Sequence, residues 1–373
     1  NAIAGFVSEN AMFLIASTVS CRMSQQRFAM RDAQMAENMY SSAALPINSA
    51  KLAYGSLTRV QDAAILPEPS YPSVWTEPFL QEEDASFFAK NDTSYTPYGS
   101  AQISLREENR YAFWAQGLLE YLAQDPQSEN PGFSSMTGGA LLGCDYYGRE
   151  AVLLGAAVCY AKSSVHQDFA AGKNTIDYYA ATIYGTAYLE DAYLEIGLAG
   201  AVNRFASERF ISFPQITGRP FAKNAKSSYW GGQVVPHVAL GYDFNFSWGT
   251  LEPFVSIDCA MLYQRSFSEK GASPLNMEQQ SSFSQILRSE AGVHFYQLFC
   301  SAIGDFVLRE SLSYVNKEPF QVGFIQANII GYSPGFFVDS FTNNESLVSP
   351  ALQLFYRSES GGFGSLSYIG EFQ

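Results

Sequence analysis

From Arg110 to Phe372 the chain repeats one unit, a run of about ten residues in which apolar side chains alternate with small or polar ones, followed by a turn. The pattern predicts strands over 110–122, 136–147, 151–163, 175–189, 193–206, 228–246, 251–264, 283–296 and 306–316, with two more over 347–357 and 363–372. In the seventh, Leu251, Pro253, Val255, Ile257, Cys259, Met261 and Tyr263 alternate with Glu252, Phe254, Ser256, Asp258, Ala260, Leu262 and Gln264. The eighth sets Leu287, Ala291, Val293 and Phe295 against Arg288, Glu290, Gly292 and His294, and the last sets Leu366, Tyr368 and Phe372 against Ser365, Ser367 and Glu371. A water-soluble sandwich would turn the polar face outward, whereas a membrane barrel turns it inward.

Loop lengths separate the two. The connections 148–150, 190–192 and 247–249 are short, while 123–135, 164–174, 207–227 and 265–282 are long. Short turns on the periplasmic side and long loops outside are the habit of outer-membrane barrels. The expected fold is therefore all-β, a transmembrane antiparallel barrel. A charge on its lipid face costs about 2–4 kcal/mol near the bilayer midplane. Glu252, Asp258, Arg288, Glu290, Arg309 and Arg357 are accordingly assigned to the lumen. Glu310 falls on the apolar side of its strand and fits only near a strand end or with a slipped register.

Ahead of the strands, residues 1–66 read as helix, rich in Ala, Met, Gln and Glu, with Arg22, Arg27 and Arg31 interleaved among Met23, Phe28, Met30 and Met35. A second helix over 49–64, capped by Asn48, carries Lys51, Arg59 and Asp62. Residues 67–109, punctuated by Pro67, Pro69, Pro72, Pro78 and Pro97 among Glu82, Glu83, Asp84 and Asp92, read as a linker. The domain plan is thus a helical segment (1–66), a Pro-rich acidic linker (67–109) and a barrel (110–373).

Composition narrows the partners. Aromatic residues make up 15% of the chain and charged residues only 16%, which suits a lipid-facing surface. No apolar run approaches the roughly 20 residues of a lipid-spanning helix. A net charge of -14 argues against nucleic acid. The five cysteines show no CxxC and no zinc spacing, and no cofactor or metal site is predicted. No basic, apolar and small-residue leader follows Asn1, so the sequence reads as a mature or excised piece of a longer chain.

A set of motifs in fixed order adds a family. It runs through Trp114 to Gly117, Gly138-Gly139-Ala140-Leu141-Leu142-Gly143-Cys144-Asp145-Tyr146, Leu154-Gly155 and Tyr184-Gly185-Thr186-Ala187-Tyr188 with Tyr193-Leu194. Gly241-Tyr242, Glu252-Pro253-Phe254, Phe267, Glu269, Gly271 and Ala291-Gly292 follow. In these the chain resembles the C-terminal translocator domain of the autotransporters, which carry type V secretion.

The resemblance implies a barrel of about twelve strands with a helix in its pore, a monomer in outer-membrane lipid of a Gram-negative-type bacterium. It also implies assembly by the barrel-assembly machinery with periplasmic chaperones, and export of a passenger N-terminal to the domain. The lumen charges would then pair with Arg22, Arg27, Lys51 or Arg59, or with one another across strands. Glu195 stands where the family usually has Asp, and the adjacent asparagines at which one subgroup cuts its own helix are missing.

A barrel hydrolase would need a His beside carboxylates or Ser at the barrel mouth, and only His166, His237 and His294 are present, with no G-x-S-x-G context. A porin or surface adhesin would need the barrel and loops but not the first 66 residues. The strand count is open between two readings: twelve if 321–331 is a wall strand, eleven if it is an outer loop. The alternation of loop lengths favours eleven, a wall one strand short of an even number.

Overall fold

The computed structural model describes residues 3–20, 22–23, 102–104, 111–124, 132–148, 152–167, 172–189, 191–213, 221–246, 248–301, 304–321, 325–332, 335–338, 344–358 and 363–372. Lys51, Arg59, Arg27, Arg31 and the second expected helix lie outside the described residues.

Helix α1 (Ile3–Ser20) is surrounded by a curled antiparallel sheet. Its strands are β1 (Gln102–Ser104), β2 (Tyr111–Gln124), β3 (Phe133–Tyr147), β4 (Val152–Gln167), β5 (Gly172–Leu189), β6 (Ala192–Phe213), β7 (Phe221–Tyr242), β8 (Phe244–Phe246) and β9 (Gly249–Gln264), continued by β12 (Ser282–Ser301), β13 (Gly304–Gln321), β16 (Glu345–Ser358) and β17 (Phe363–Ile369). β10 (Phe267–Ser268), β11 (Met277–Gln279), β14 (Ile325–Ile329) and β15 (Phe336–Val338) make a second, small sheet. Consecutive wall strands are neighbours throughout, in the order β2-β3-β4-β5-β6-β7-β9-β12-β13-β16-β17, so among the described residues eleven strands form the wall. β1, inside the segment read as linker, adds a short strip along β2. β14 is paired on both sides, but by β11 and β15 in the small sheet, while β13 and β16 pair directly with each other. Of the stretch 321–331, Gln321 still pairs in the wall with Gln285, whereas β14 stands outside it, because the ladder from Gly304↔Ser358 to Lys317↔Glu345 already uses the edge it would need.

Two expected long loops turn out to be mostly strand. β4 and β5 run to residues 167 and 172, and β6 and β7, each 22 residues, carry their ladder out to Phe213↔Phe221. Polar side chains hid these extensions, which stand in water beyond the bilayer and so need no apolar face. Glu208 and Lys226, cross-strand partners there, form an ion pair.

The two faces of the wall differ in chemistry. Outward stand Leu142, Val158, Ile183, Leu198, Val238 and Ile257, all more than two-fifths exposed. Inward stand Asp145, Glu195, Asn203, Gln233, Asp258 and Arg288, all buried around α1. On β5 the apolar stretch from Tyr179 to Leu189 covers about 25 Å along the barrel axis at a rise of about 3.3 Å per residue and a tilt of about 40°. That is the height of a lipid-facing band. Glu310 stands outward in an unbroken stretch of ladder, between Phe295 and Leu352, so neither a strand end nor a slipped register accounts for it. It lies in the periplasmic half of β13, between exposed Phe320 and the Phe306–Tyr356 ring pair.

α1 qualifies one sequence expectation, since its 18 residues are long and apolar enough to cross a membrane. It spans about 27 Å at 1.5 Å per residue, but in the lumen, with Ile3, Val7, Met12, Ile15 and Val19 buried against the wall. The small side chains Ala4, Gly5, Ser8, Ala11 and Ala16 let it lie close to the strands.

Replacing Ile183, at the middle of the band, by Arg should lower folding stability in phosphatidylcholine vesicles by about 2–4 kcal/mol. Lys162→Ala, on the same outer face but at its rim, should change it little. Guanidinium titration of the two variants checks both.

Candidate functional site: the helix-filled lumen

The polar residues of α1 face bonding partners that the strand alternation presents inward. Ser17 Oγ and Thr18 Oγ1 donate to the Leu14 carbonyl at 3.0 and 2.8 Å, and Asn10 Nδ2 donates to the Phe6 carbonyl at 2.9 Å. The remaining polar atoms reach the wall. Asn203 Nδ2 donates to Ser8 Oγ at 2.9 Å, and Ser8 Oγ to Gln233 Oε1 at 3.0 Å. Ser284 Oγ donates to Glu9 Oε1 at 2.6 Å, Lys317 Nζ to Asn10 Oδ1 at 3.0 Å and Ser20 Oγ to Glu195 Oε2 at 3.1 Å. These partners lie on β6, β7, β12 and β13, so α1 is held from several sides.

Direction follows from the same contacts. Gly5 packs beneath Leu262 and Gln264 at the outer end of β9, whereas Ser20 meets Glu195, three residues into β6 from the periplasmic turn. α1 therefore runs from the outer mouth to the periplasmic end, where β2 also begins.

At that inner end sits a buried ion pair. Arg22 Nε and Nη2 donate to Asp145 Oδ2 at 3.0 and 2.8 Å, with both side chains almost fully buried. Trp114 Nε1 donates to Asp145 Oδ1 at 3.1 Å, Tyr184 OH donates to the same oxygen, and the Arg22 guanidinium lies 5.6 Å from the Trp114 ring centre. The aromatic donors lie flat against the wall because glycine stands opposite each: Trp114 over Gly143 and Tyr184 over Gly155 are cross-strand partners, as are Tyr193 and Gly241. A Cβ at any of these three glycines would overlap the ring.

The opposite side carries a charged network. Arg288 Nη1 reaches Glu290 Oε2 at 2.7 Å and Asp258 Oδ2 at 3.5 Å, and its Nη2 reaches Glu371 Oε1 at 3.2 Å. Glu371 also meets Lys317 at 2.6 Å, and Asp258 Oδ1 lies 2.7 Å from His237 Nδ1. Arg309 donates to Gln353 Oε1 at 2.8 Å and to His294 Nε2 at 2.7 Å. Arginine can only donate, so His294 Nε2 is the bare nitrogen and its Nδ1–H points at Ser311 Oγ, 2.8 Å away. Tyr193 OH donates to Glu252 Oε1 at 2.8 Å. Between this network and Ser17 and Ser20 of α1 remains a cavity of about 90 Å³.

Of the residues singled out from sequence, Glu252, Asp258, Arg288, Glu290 and Arg309 therefore lie together in the lumen. The bonds just described join them to wall residues, and the helix arginine takes a different carboxylate, Asp145. Arg357 pairs through its backbone with Asp305 on β13, and its side chain is outside the described residues, as are Lys51 and Arg59. Asp145, Glu195 and His237 are lumen residues that the sequence reading named in other connections but did not assign to the lumen. Parity carried the signal: Asp145 follows Leu141 and Gly143 at alternate positions on the inner face of β3.

Asp145→Asn would leave Arg22 buried without its counter-charge, which costs about 3–5 kcal/mol when a buried pair is broken. The variant should melt earlier and hold α1 more loosely, read as a larger and noisier conductance in planar bilayers. Combining Asp145→Asn with Arg22→Met should recover part of the loss.

Comparison with known proteins agrees with this architecture. The family description "Autotransporter beta-domain" matches residues 113–316, more than half of the chain. Outer membrane protein B of Rickettsia typhi is 23% identical over 210 residues, covering 55% of this chain and 13% of that protein. Its counterpart in Rickettsia prowazekii is 24% identical over 202 residues, covering 52% and 12%. The chain thus spans about an eighth of the length of these relatives. Among solved structures, the translocator domain of the autotransporter NalP from Neisseria meningitidis superposes with a TM-score of 0.51 at 15% identity, over 70% of this chain and 81% of that one, a likeness of fold. A strand wall with an apolar exterior, a helix through a charged lumen and a family match over most of the wall lead to one conclusion: the chain belongs to the autotransporter β-domain family and is an outer-membrane translocator barrel.

Proposed function

We propose that this barrel exports a polypeptide joined N-terminally to α1, and that α1 afterwards remains as the plug of the route. The direction of α1 carries the reading. Its first turns lie at the outer mouth and its last at the periplasmic end, so any chain attached ahead of it emerges on the side of the long outer connections. The wall supplies a continuous backbone ladder toward lipid and a polar lining toward the route. The lumen histidines are braced within the polar network, and the chain acts as a transport barrel rather than a hydrolase. It works as a single chain, inserted by the barrel-assembly machinery after delivery by periplasmic chaperones.

Closure of the wall belongs to the same proposal. Among the described residues β17 is paired on one side only, by β16, and β2 on its far side only by the three residues of β1. A free strand edge in hydrocarbon leaves backbone groups unsatisfied. A twelfth strand between β17 and β2 would complete the ladder and give the even number usual for bacterial barrels.

The test is an epitope fused ahead of Asn1 behind a secretion signal. Protease added to intact cells should remove the epitope, while an epitope protected until the cells are opened would overturn the export reading. Deleting residues 3–20 should raise single-channel conductance severalfold, because about 27 Å of helix leaves the lumen. A barrel whose conductance ignores that deletion does not use α1 as its plug.

A further inference from the structure

The outer face of β4–β9 carries a groove that the lumen does not use. Ala181, Gly200 and Gly232 form its floor, and Tyr179, Val202, Val234 and Tyr263 stand along it, each about half exposed. The register makes these neighbours: Tyr179↔Val202↔Gly232↔Tyr263 in one row, Ala181↔Gly200↔Val234 in the next. A Cβ at Gly200 or Gly232 would meet only one carbonyl oxygen, at 3.9 Å, so the space above both glycines is open.

One step outward the chemistry changes. Lys162, Asp177, Arg204 and Trp230 are successive cross-strand partners, and Arg265 joins the row by donating its backbone N–H to the Trp230 carbonyl at 3.1 Å. Asp177 is engaged by Tyr160 at 3.1 Å and Lys162 at 3.8 Å. Arg204 and Arg265 are exposed and have no ion pair or side-chain hydrogen bond among the described residues. They flank Trp230 two strand spacings apart, about 10 Å, within reach of two leaning arginine side chains. In a chain of net charge -14, two unpaired guanidiniums at the upper rim of the apolar band form a local exception.

We infer that this face binds a phosphorylated lipid of net negative charge in the outer leaflet, its phosphate between Arg204 and Arg265 and one acyl chain along the groove over Gly232 and Gly200. Guanidinium forks match phosphate oxygens, and Trp and Tyr sit at headgroup depth where an amphiphile changes from wet to dry. The charge sign excludes a cationic headgroup, and the open floor gives a chain room that a Leu-covered wall would not. The site is on the opposite face from the lumen and stands independently of the export reading.

The test uses the 373-residue chain folded in neutral detergent, with phosphatidylglycerol or phosphatidylcholine of the same acyl chains added and retained lipid read by native mass spectrometry. Phosphatidylglycerol should be retained preferentially, and Arg204→Gln with Arg265→Gln should weaken its retention about tenfold, as expected for losing charge-assisted bonds. Gly232→Leu should weaken retention of both lipids. Heat-modifiable gel mobility shows whether each variant is folded, and the single Arg265→Gln, just past the end of β9, gives the same reading if the double variant does not fold. Equal retention of the two lipids, or retention unchanged by the arginine or the glycine variants, would overturn the inference. A dimer dissolved by Gly232→Leu would assign the face to a second copy of the chain and overturn it too.

Discussion

Hydrocarbon offers no water to a peptide group, so each N–H and C=O of the spanning segments must find its partner within the protein. The rest of this structure descends from that requirement. Strands meet it only side by side, which produces the wall from β2 to β17. A wall one residue thick has two faces, and alternation sends each side chain to one of them. Once the outer face is apolar, the charges that the sequence carries at the other parity must face inward. A space lined with Asp, Glu, Arg and His cannot stay dry and unpaired, so it is filled by a helix and by mutual bonding.

The lumen solves its electrostatics in two ways. Around β9 to β17 the charges satisfy one another: Arg288 is shared by Asp258, Glu290 and Glu371, and Arg309 is held by Gln353 and His294. That side does not depend on the helix for its main ion pairs. At the periplasmic ends of β3 and β5 the carboxylate of Asp145 faces aromatic neighbours, and its cation comes from Arg22 beyond the end of α1. A buried pair of this kind contributes position more dependably than stability. Here the position it fixes is the depth of the helix end.

Most of the wall was legible because the constraint writes itself into period-two alternation, and strands such as β9 and β12 could be read residue by residue. Legibility failed where the constraint lapses. The outer parts of β6 and β7 stand in water, so Ser207 to Phe213 and Phe221 to Ser227 need no alternation of hydropathy although they pair fully. The lumen charges were readable as a set, since Glu252, Asp258, Arg288, Glu290 and Arg309 share the inner parity. Their partners were not, because partner choice depends on strand stagger and on which side of α1 a residue falls. Asp145 belongs to one of the family motifs and its parity puts it on the inner face, yet parity does not choose a partner, so nothing there marks it as the counter-ion of Arg22.

The glycines opposite Trp114, Tyr184 and Tyr193 have a further meaning. An aromatic ring standing upright from the wall would project several ångströms toward the axis, while a ring lying across a glycine adds little more than its own thickness. Strand number sets how wide such a wall curls, and what its lining can still adjust is the clear radius inside it. Gly143, Gly155 and Gly241 set that radius by letting the rings fold flat. They act as the gauge of the bore: the clearance between wall and lumen contents is written in the three positions where the sequence supplies no side chain at all.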